Sequence, residues 1–231
     1  MAAMTDASDP ATAYERLAGA DTGPALSTVE RAQLSQLLDE LGPHAPTLAG
    51  AWDTHHLAAH LVIREGNPLT ALTSALTSRG DETVEQRVAE TPYTELVDRL
   101  RAGPPRLSTF AVPRLEQAFN ALEFLVHHED VRRAQPGWQP RALPRWAEDQ
   151  VWARLSLMAK LVARKCDVAV RLVRSDDVAT ITAHKGPAPA LVTGLPSEIT
   201  LYMLGRQEVA GVGIDGPADA VRRLGEQDFS V

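Results

Sequence analysis

The sequence predicts an α+β protein, an antiparallel four-helix bundle followed by a small α+β domain. Three observations carry that prediction. Apolar residues recur at three- and four-residue spacing through the first 130 or so positions, the spacing of one buried helix face. A proline- and glycine-rich stretch, AQPGWQPRALP from Ala134 to Pro144, then interrupts the pattern. Beyond one more helix the period falls to two, the signature of strands.

The first two dozen residues, rich in Ala, Asp, Thr and Gly, carry little periodicity and are expected to form a loose leader (1–26). The first helix is expected to open at Ser27, with Ser27 and Glu30 spaced as a capping box in which each side chain satisfies the other's free amide. Leu34, Leu37, Leu38 and Leu41 line its apolar face, and Gly42-Pro43 ends it. Asp53 is a good N-cap for the second helix, and Trp52 and Leu57 are placed to close a hydrophobic staple. Leu69, Leu72 and Leu76 suggest that this helix continues past Asn67-Pro68 to Ser78-Arg79-Gly80. A third helical region starts near Asp81 to Thr83 and restarts at Thr91-Pro92, an N-cap followed by proline at the first helical position. After Gly103-Pro104-Pro105, Pro113 begins a long fourth helix carrying Leu115, Phe119, Leu122 and Val126. Short connections between consecutive helices predict antiparallel neighbours, and the bundle is assigned to residues 27–135.

The second domain is assigned to residues 145–231. Trp146, Val151, Trp152, Leu155, Met158 and Leu161 mark its helix, after which residues 168–173 and 179–182 read as two strands around Ser175-Asp176-Asp177. Ala190-Leu191-Val192 is a third strand, Ser197 caps a helix reaching Leu204, Val209 to Ile214 is a fourth strand, and Pro217 to Leu224 a last helix.

Composition narrows the function. With 23 Lys and Arg against 30 Asp and Glu, the net charge of −7 argues against nucleic acid and anionic membrane surfaces as partners, because both demand clustered positive charge. No run approaches the length of a membrane-spanning helix, and the N-terminus has no basic start followed by an apolar core, so a cytoplasmic location is expected. The single cysteine, Cys166, excludes an intrachain disulfide and reads as a buried inert thiol.

The chemistry concentrates on the fourth helix. Glu123 and His127 stand four apart, so their side chains leave one face on adjacent turns and can meet at a point. His128 is displaced by about 100° and should point elsewhere. A carboxylate and an imidazole within an apolar stripe must be paired or coordinated, and a cation satisfies both. His60, between Leu57 and Leu61, has a matching setting on the second helix. Two nitrogens and one carboxylate oxygen with a fourth position open is the arrangement of catalytic zinc. Asn120 and Asp130 flank the pair, and either can orient a ligand from behind. Spacing alone leaves alternatives. Glu and His four apart also make a plain stabilising helix pair, and His56 and His60 can together supply two ligands. Arg132-Arg133 read as the solvated end of the helix, Arg206 as a surface or C-capping residue, and His44 and His184 have no evident partners.

The phrase Trp52-Asp53-Thr54-His55-His56-Leu57-Ala58-Ala59-His60-Leu61, followed by the run from Asn120 through Glu123, His127 and His128 to Arg133, resembles the metal-binding domain of mycothiol-dependent maleylpyruvate isomerases and their actinobacterial relatives, within the DinB-like helical-bundle superfamily. The resemblance spans residues 27–135, and Leu204-Gly205-Arg206 resembles part of the smaller domain that often follows. It implies one divalent metal ion, zinc being expected, held by His60, Glu123 and His127, with His56 in a first-turn or pocket role. It further implies mycothiol or a similar small thiol as cosubstrate and a small electrophile as its partner, in a transferase or cis-trans isomerase reaction. The HHEDVRR ending resembles the uncharacterised branch of the family more than the isomerase proper. A non-catalytic metal-containing ligand-binding module is the competing expectation.

Overall fold

A computed structural model of the chain describes residues 23–66, 79–104 and 113–229. The chain is α+β, and contacts divide it into two compact units, Met1–Gln139 and Pro140–Val231. The expected helix beyond Asn67-Pro68 and most of the expected leader lie outside the described residues.

The first unit contains α1 (Leu26–Leu41), α2 (Thr54–Gly66), α3 (Arg79–Glu90), α4 (Tyr93–Ala102) and α5 (Pro113–Arg133). The third helical region is thus two helices separated by Thr91-Pro92. The structure places the cap of α4 on Pro92 with no side-chain bond, one residue later than the sequence suggested. Helix α1 packs on α5 and α4, and α2 packs on α4 and α3. Leu34, Leu38, Leu57, Leu61, Leu96 and Phe124, all within 1% of complete burial, form the centre of the apolar core. Each such side chain contributes about 1.5–3 kcal/mol when removed from water.

The start of α1 also differs from expectation. Helix α1 begins at Leu26 with Ala25 at the cap position and no side-chain cap bond, so the Ser27–Glu30 capping box does not form. The Glu30 carboxylate lies instead 2.7 Å from Nδ1 of His128 on α5, and a buried carboxylate next to an imidazole gains more there than at a helix end. By contrast, Asp53 caps α2 as predicted, its Oδ1 accepting the amides of His55 and His56 at 3.0 and 3.1 Å. Gly42 closes α1 at φ 75°, its amide donating to the Leu38 carbonyl at 3.0 Å.

The turn between α1 and α2 is tied at both ends. Thr54 Oγ1 donates to the Gly42 carbonyl at 2.5 Å, and the Leu48 amide donates to the Asp130 carbonyl near the end of α5 at 3.1 Å. That second bond fixes the start of α2 against the last turns of α5.

The second unit contains α6 (Arg145–Val162), β1 (Val170–Arg174), β2 (Thr180–His184), β3 (Ala190–Gly194), α7 (Pro196–Met203), β4 (Gly213–Asp215) and α8 (Ala218–Gly225). The sheet order is β2-β1-β3-β4, with β1 antiparallel to β2, parallel to β3, and β3 antiparallel to β4. Val170, Leu172, Ala190 and Val192 are fully buried on strands whose alternate residues are less so, and Leu155, Ala159 and Ile199 complete the core. Ser197 does not cap its own helix. Glu148 of α6 accepts both the Ser197 amide, at 2.8 Å, and its hydroxyl, at 2.7 Å, so a carboxylate from another helix satisfies the start of α7. The fourth strand is shorter than predicted, because residues 206–209 form turns closed by amide bonds back to Arg206.

Candidate metal centre

Capping by Asp53 sets where α2 begins, and from there His56, His60 and Arg64 follow at four-residue intervals along one helical face. On α5, Asn120, Glu123, His127 and Asp130 follow at three- and four-residue intervals. The two faces meet through side chains.

His60, Glu123 and His127 each bring one ligand atom within 4.8 Å of the others. Glu123 Oε1 is the focus: His60 Nε2 lies at 3.2 Å, His127 Nε2 at 3.3 Å and Arg64 Nε at 3.1 Å. The two imidazole rings stand edge to face with centroids 5.3 Å apart, and the Trp52 ring lies 5.0 Å from that of His60.

Behind this focus, Asp130 Oδ2 lies 2.9 Å from His127 Nδ1 and is itself completely buried. An ionised carboxylate only accepts, so Nδ1 carries a proton and Nε2 is the atom turned toward Glu123. Asn120 sits elsewhere than beside the trio. Its Oδ1 accepts from Arg64 Nη1 and its Nδ2 donates to Glu65 Oε1 at 3.3 Å, while Glu65 pairs with Arg31 at 2.5 Å. Asp130 therefore acts directly on a candidate ligand, and Asn120 only through Arg64.

Electrostatics follow this geometry. Burial alone raises a carboxylic acid, yet the Arg64 charge and the bonds from His127 and His60 outweigh it and hold Glu123 well below the usual carboxylate range. Burial pulls His60 down, and its bond to Glu123 only partly offsets this. Burial also acts to lower His127, but Asp130 and Glu123 prevail and push it up to about 9.

The other sequence candidates have different occupations. His56 Nδ1 lies 2.5 Å from the capping oxygen of Asp53 and Nε2 3.3 Å from Glu85, so both nitrogens are taken outside the trio. His128 points to Glu30, away from Glu123, as the helical offset required. His44, expected to lack a partner, lies 3.3 Å from Asp53. Arg133 is buried rather than solvated. It donates to Glu129 at 2.6 Å and its guanidinium stands 4.9 Å from the centre of the Trp138 ring, because charge pairing and ring stacking replace water. Arg132 also meets Glu129, at 3.1 Å. Arg206 donates to the Leu204 carbonyl at 2.5 Å, the C-capping role expected. Cys166 is buried, and burial with the neighbouring Asp167 charge pushes its thiol up to about 11.

Arg64 is the residue that sequence reading missed. Its signal was present, since it stands four after His60 just as His127 stands four after Glu123. Trp52 was read only as a staple, although its ring packs near His60.

No family model matches the sequence, and no curated protein matches it. Among solved structures, the fold is similar to that of a mycothiol-dependent maleylpyruvate isomerase, with a TM-score of 0.57 at 15% identity over 82% of this chain and 89% of that one. A histidine-to-alanine mutant of such an isomerase matches with the same values. At that identity the likeness is one of fold. No helix among the described residues is long and apolar enough to cross a membrane.

Proposed function

We propose that this chain is a metal-dependent enzyme in which His60, Glu123 and His127 hold one divalent ion, zinc being the expected one. Its reaction uses a small thiol, mycothiol or a relative, in transfer to or cis-trans isomerisation of a small electrophile. The helices of the first unit are read as the DinB-like antiparallel bundle (27–135) and the second unit as its α+β companion (145–231), in a cytoplasmic protein.

The observation that carries the reading is the convergence of two imidazole nitrogens and a carboxylate oxygen within 4.8 Å, with Asp130 fixing the His127 tautomer. The donor set suits zinc, whose catalytic sites combine histidine nitrogen and carboxylate oxygen and leave a position open. When bound, such an ion supplies Lewis acidity that favours the ionised form of a thiol or water. The chain's own residues do the rest. Asp130 keeps the proton on His127 Nδ1, the Trp52 ring restricts His60 from one side, and Arg64 keeps Glu123 ionised. The fold likeness to a thiol-dependent isomerase supports the reaction class.

Arg64 also supports a second reading. A cation already 3.1 Å from Glu123 satisfies that carboxylate without metal, which fits a purely structural, hydrogen-bonded cluster. Elemental analysis of untagged protein decides between them. About one equivalent of metal, lost in Glu123→Ala and His127→Ala, with thiol-dependent turnover of an electrophile that chelation abolishes, is the expected result. No metal in the isolated protein and none taken up on adding zinc overturns the enzyme reading.

A further inference from the structure

We propose that the outward face of α6 is a self-association surface, through which two copies of this chain pair across a twofold axis with their α6 helices antiparallel. The inference stands apart from the metal reading, since it concerns the second unit alone.

An exposed apolar ridge is the first support. Among the described residues four large apolar side chains are exposed, and two of them, Leu157 at 69% and Leu161 at 54%, stand one turn apart on α6. Ala153, one turn before Leu157, is exposed as well. The other side of the helix is already filled, because Val151, Leu155 and Ala159 are completely buried and Leu155 and Ala159 belong to the core of the unit. Leu157 follows Leu155 by two residues and so points about 160° away from it, clear of that core. One exposed leucine is ordinary, but Ala153, Leu157 and Leu161 form a single row at four-residue spacing, the ridge by which helices pack on one another.

Charge selects the occupant. Beside the first turns of α6, Asp149, Asp176 and Asp177 meet Arg145 and Arg174, three negative charges against two positive. In its last turn and just beyond, Lys160, Arg164 and Lys165 are exposed and have no ion pair among the described residues. The ridge therefore runs from an acidic end to a basic one. A second copy laid parallel sets basic end against basic end, and like charges repel. Laid antiparallel, it sets each basic end beside the partner's acidic end and opposes the two helix dipoles.

Symmetry makes the contact self-complementary. A twofold axis crossing the ridge near Leu157 brings Ala153 of one copy against the partner's Leu161, small against large, and the same contact forms twice. A single short helix pair is smaller than the interface of an obligate dimer, so the pairing is reversible and depends on concentration.

Sedimentation equilibrium of the untagged full-length protein, from about 1 to about 200 μM at low salt, is the test. The expected result is a reversible monomer–dimer equilibrium in the micromolar range. Leu157→Ser and Leu161→Ser change exposed positions where a polar residue spares the fold. Each should raise the dissociation constant about tenfold with an unchanged circular dichroism spectrum and melting temperature. Raising NaCl from about 50 to about 500 mM should weaken the wild-type dimer, and Lys160→Glu with Arg164→Glu should remove association at low salt. A monomer at every concentration overturns the inference and leaves the ridge to a partner of another kind. A dimer equally tight in both serine variants also overturns it, because the contact then lies elsewhere. A dimer indifferent to salt and to the charge reversals overturns the antiparallel pairing.

Discussion

Loading the metal-free protein with Zn2+ at pH 7.5 is expected to release about one proton per ion, and His127 is its source. Asp130 and Glu123 push His127 up to about 9, so at pH 7.5 roughly 97% of it is imidazolium, with a proton on the nitrogen that faces Glu123. An ion can take that nitrogen only after the proton leaves. Glu123 is already ionised and burial keeps His60 toward its neutral form, so neither adds materially to the count. Apparent affinity should rise about tenfold per pH unit up to 9 and then level off, making it about a hundredfold weaker at pH 7 than its limit. Calorimetric titration in buffers of different protonation enthalpy counts the protons. The pH series distinguishes the source. Release from His127 stays near one from pH 6.5 to 8 and falls through 9, whereas release from a bound water grows as pH rises. In Asp130→Asn the amide oxygen still accepts from Nδ1, but the charge is gone, so His127 drops and the pH slope flattens. Full metal uptake with no proton released at pH 6.5 and 7.5 would refute the assignment.

Three further outcomes follow from the same geometry. His56→Ala should keep its full metal equivalent, since both ring nitrogens are engaged with Asp53 and Glu85, and loss of metal there would reinstate His56 as a ligand. Asp53→Ala removes the cap of α2, so a loss of about 1 kcal/mol in denaturant unfolding is expected, with weakened metal uptake because His60 and Arg64 ride on that helix. Unchanged stability would remove Asp53 from that role. In the second unit, burial raises Glu148 to about 7 despite its bonds to Ser197. A raised folded pKa gives stability that is complete below about 4.5 and is lost as pH rises through 7. Wild type should therefore lose stability between pH 5 and 8 relative to Glu148→Gln, and parallel profiles for the two would contradict the assignment.

Much of the fold was legible because it was local. Asp53 names the start of α2 by its own side chain, Gly42 ends α1 by its positive φ, and the switch from a period near 3.6 to a period of 2 marks the passage from helices to sheet. Meetings between distant residues were less legible. Ser27 and Glu30 have the spacing of a capping box, but Glu30 belongs to His128, 98 residues away. Ser197 has the chemistry of a cap, but Glu148 satisfies that helix end from 49 residues earlier. Both are cases of tertiary context overriding a correct local preference.

Glu123 and His127 could be paired from the sequence because they share one helix, where spacing fixes direction, whereas the choice of His60 over His56 rested on the resemblance. The parallel pairing of β1 with β3 has no such local signal, since any strand pattern with buried alternate residues fits several orders. Arg64 shares the spacing that revealed the pair. It was passed over because an arginine on a helix reads as a solvent-facing residue until its acceptors are known.

The polar chain from Arg31 through Glu65, Asn120 and Arg64 to Glu123 runs from α1 to the centre with a fixed polarity. Its middle link is an amide, with its oxygen toward a cation and its nitrogen toward an anion. That link tolerates no sign change. Asn120→Asp, the replacement nearest in shape, would set a second carboxylate at the 3.3 Å contact with Glu65, and the repulsion would spread in both directions along the chain. A bulkier apolar side chain would crowd the buried position and take one bond each from Arg64 and Glu65. The replacement gentlest in outline is thus not gentle in charge, and similarity of size alone misjudges it.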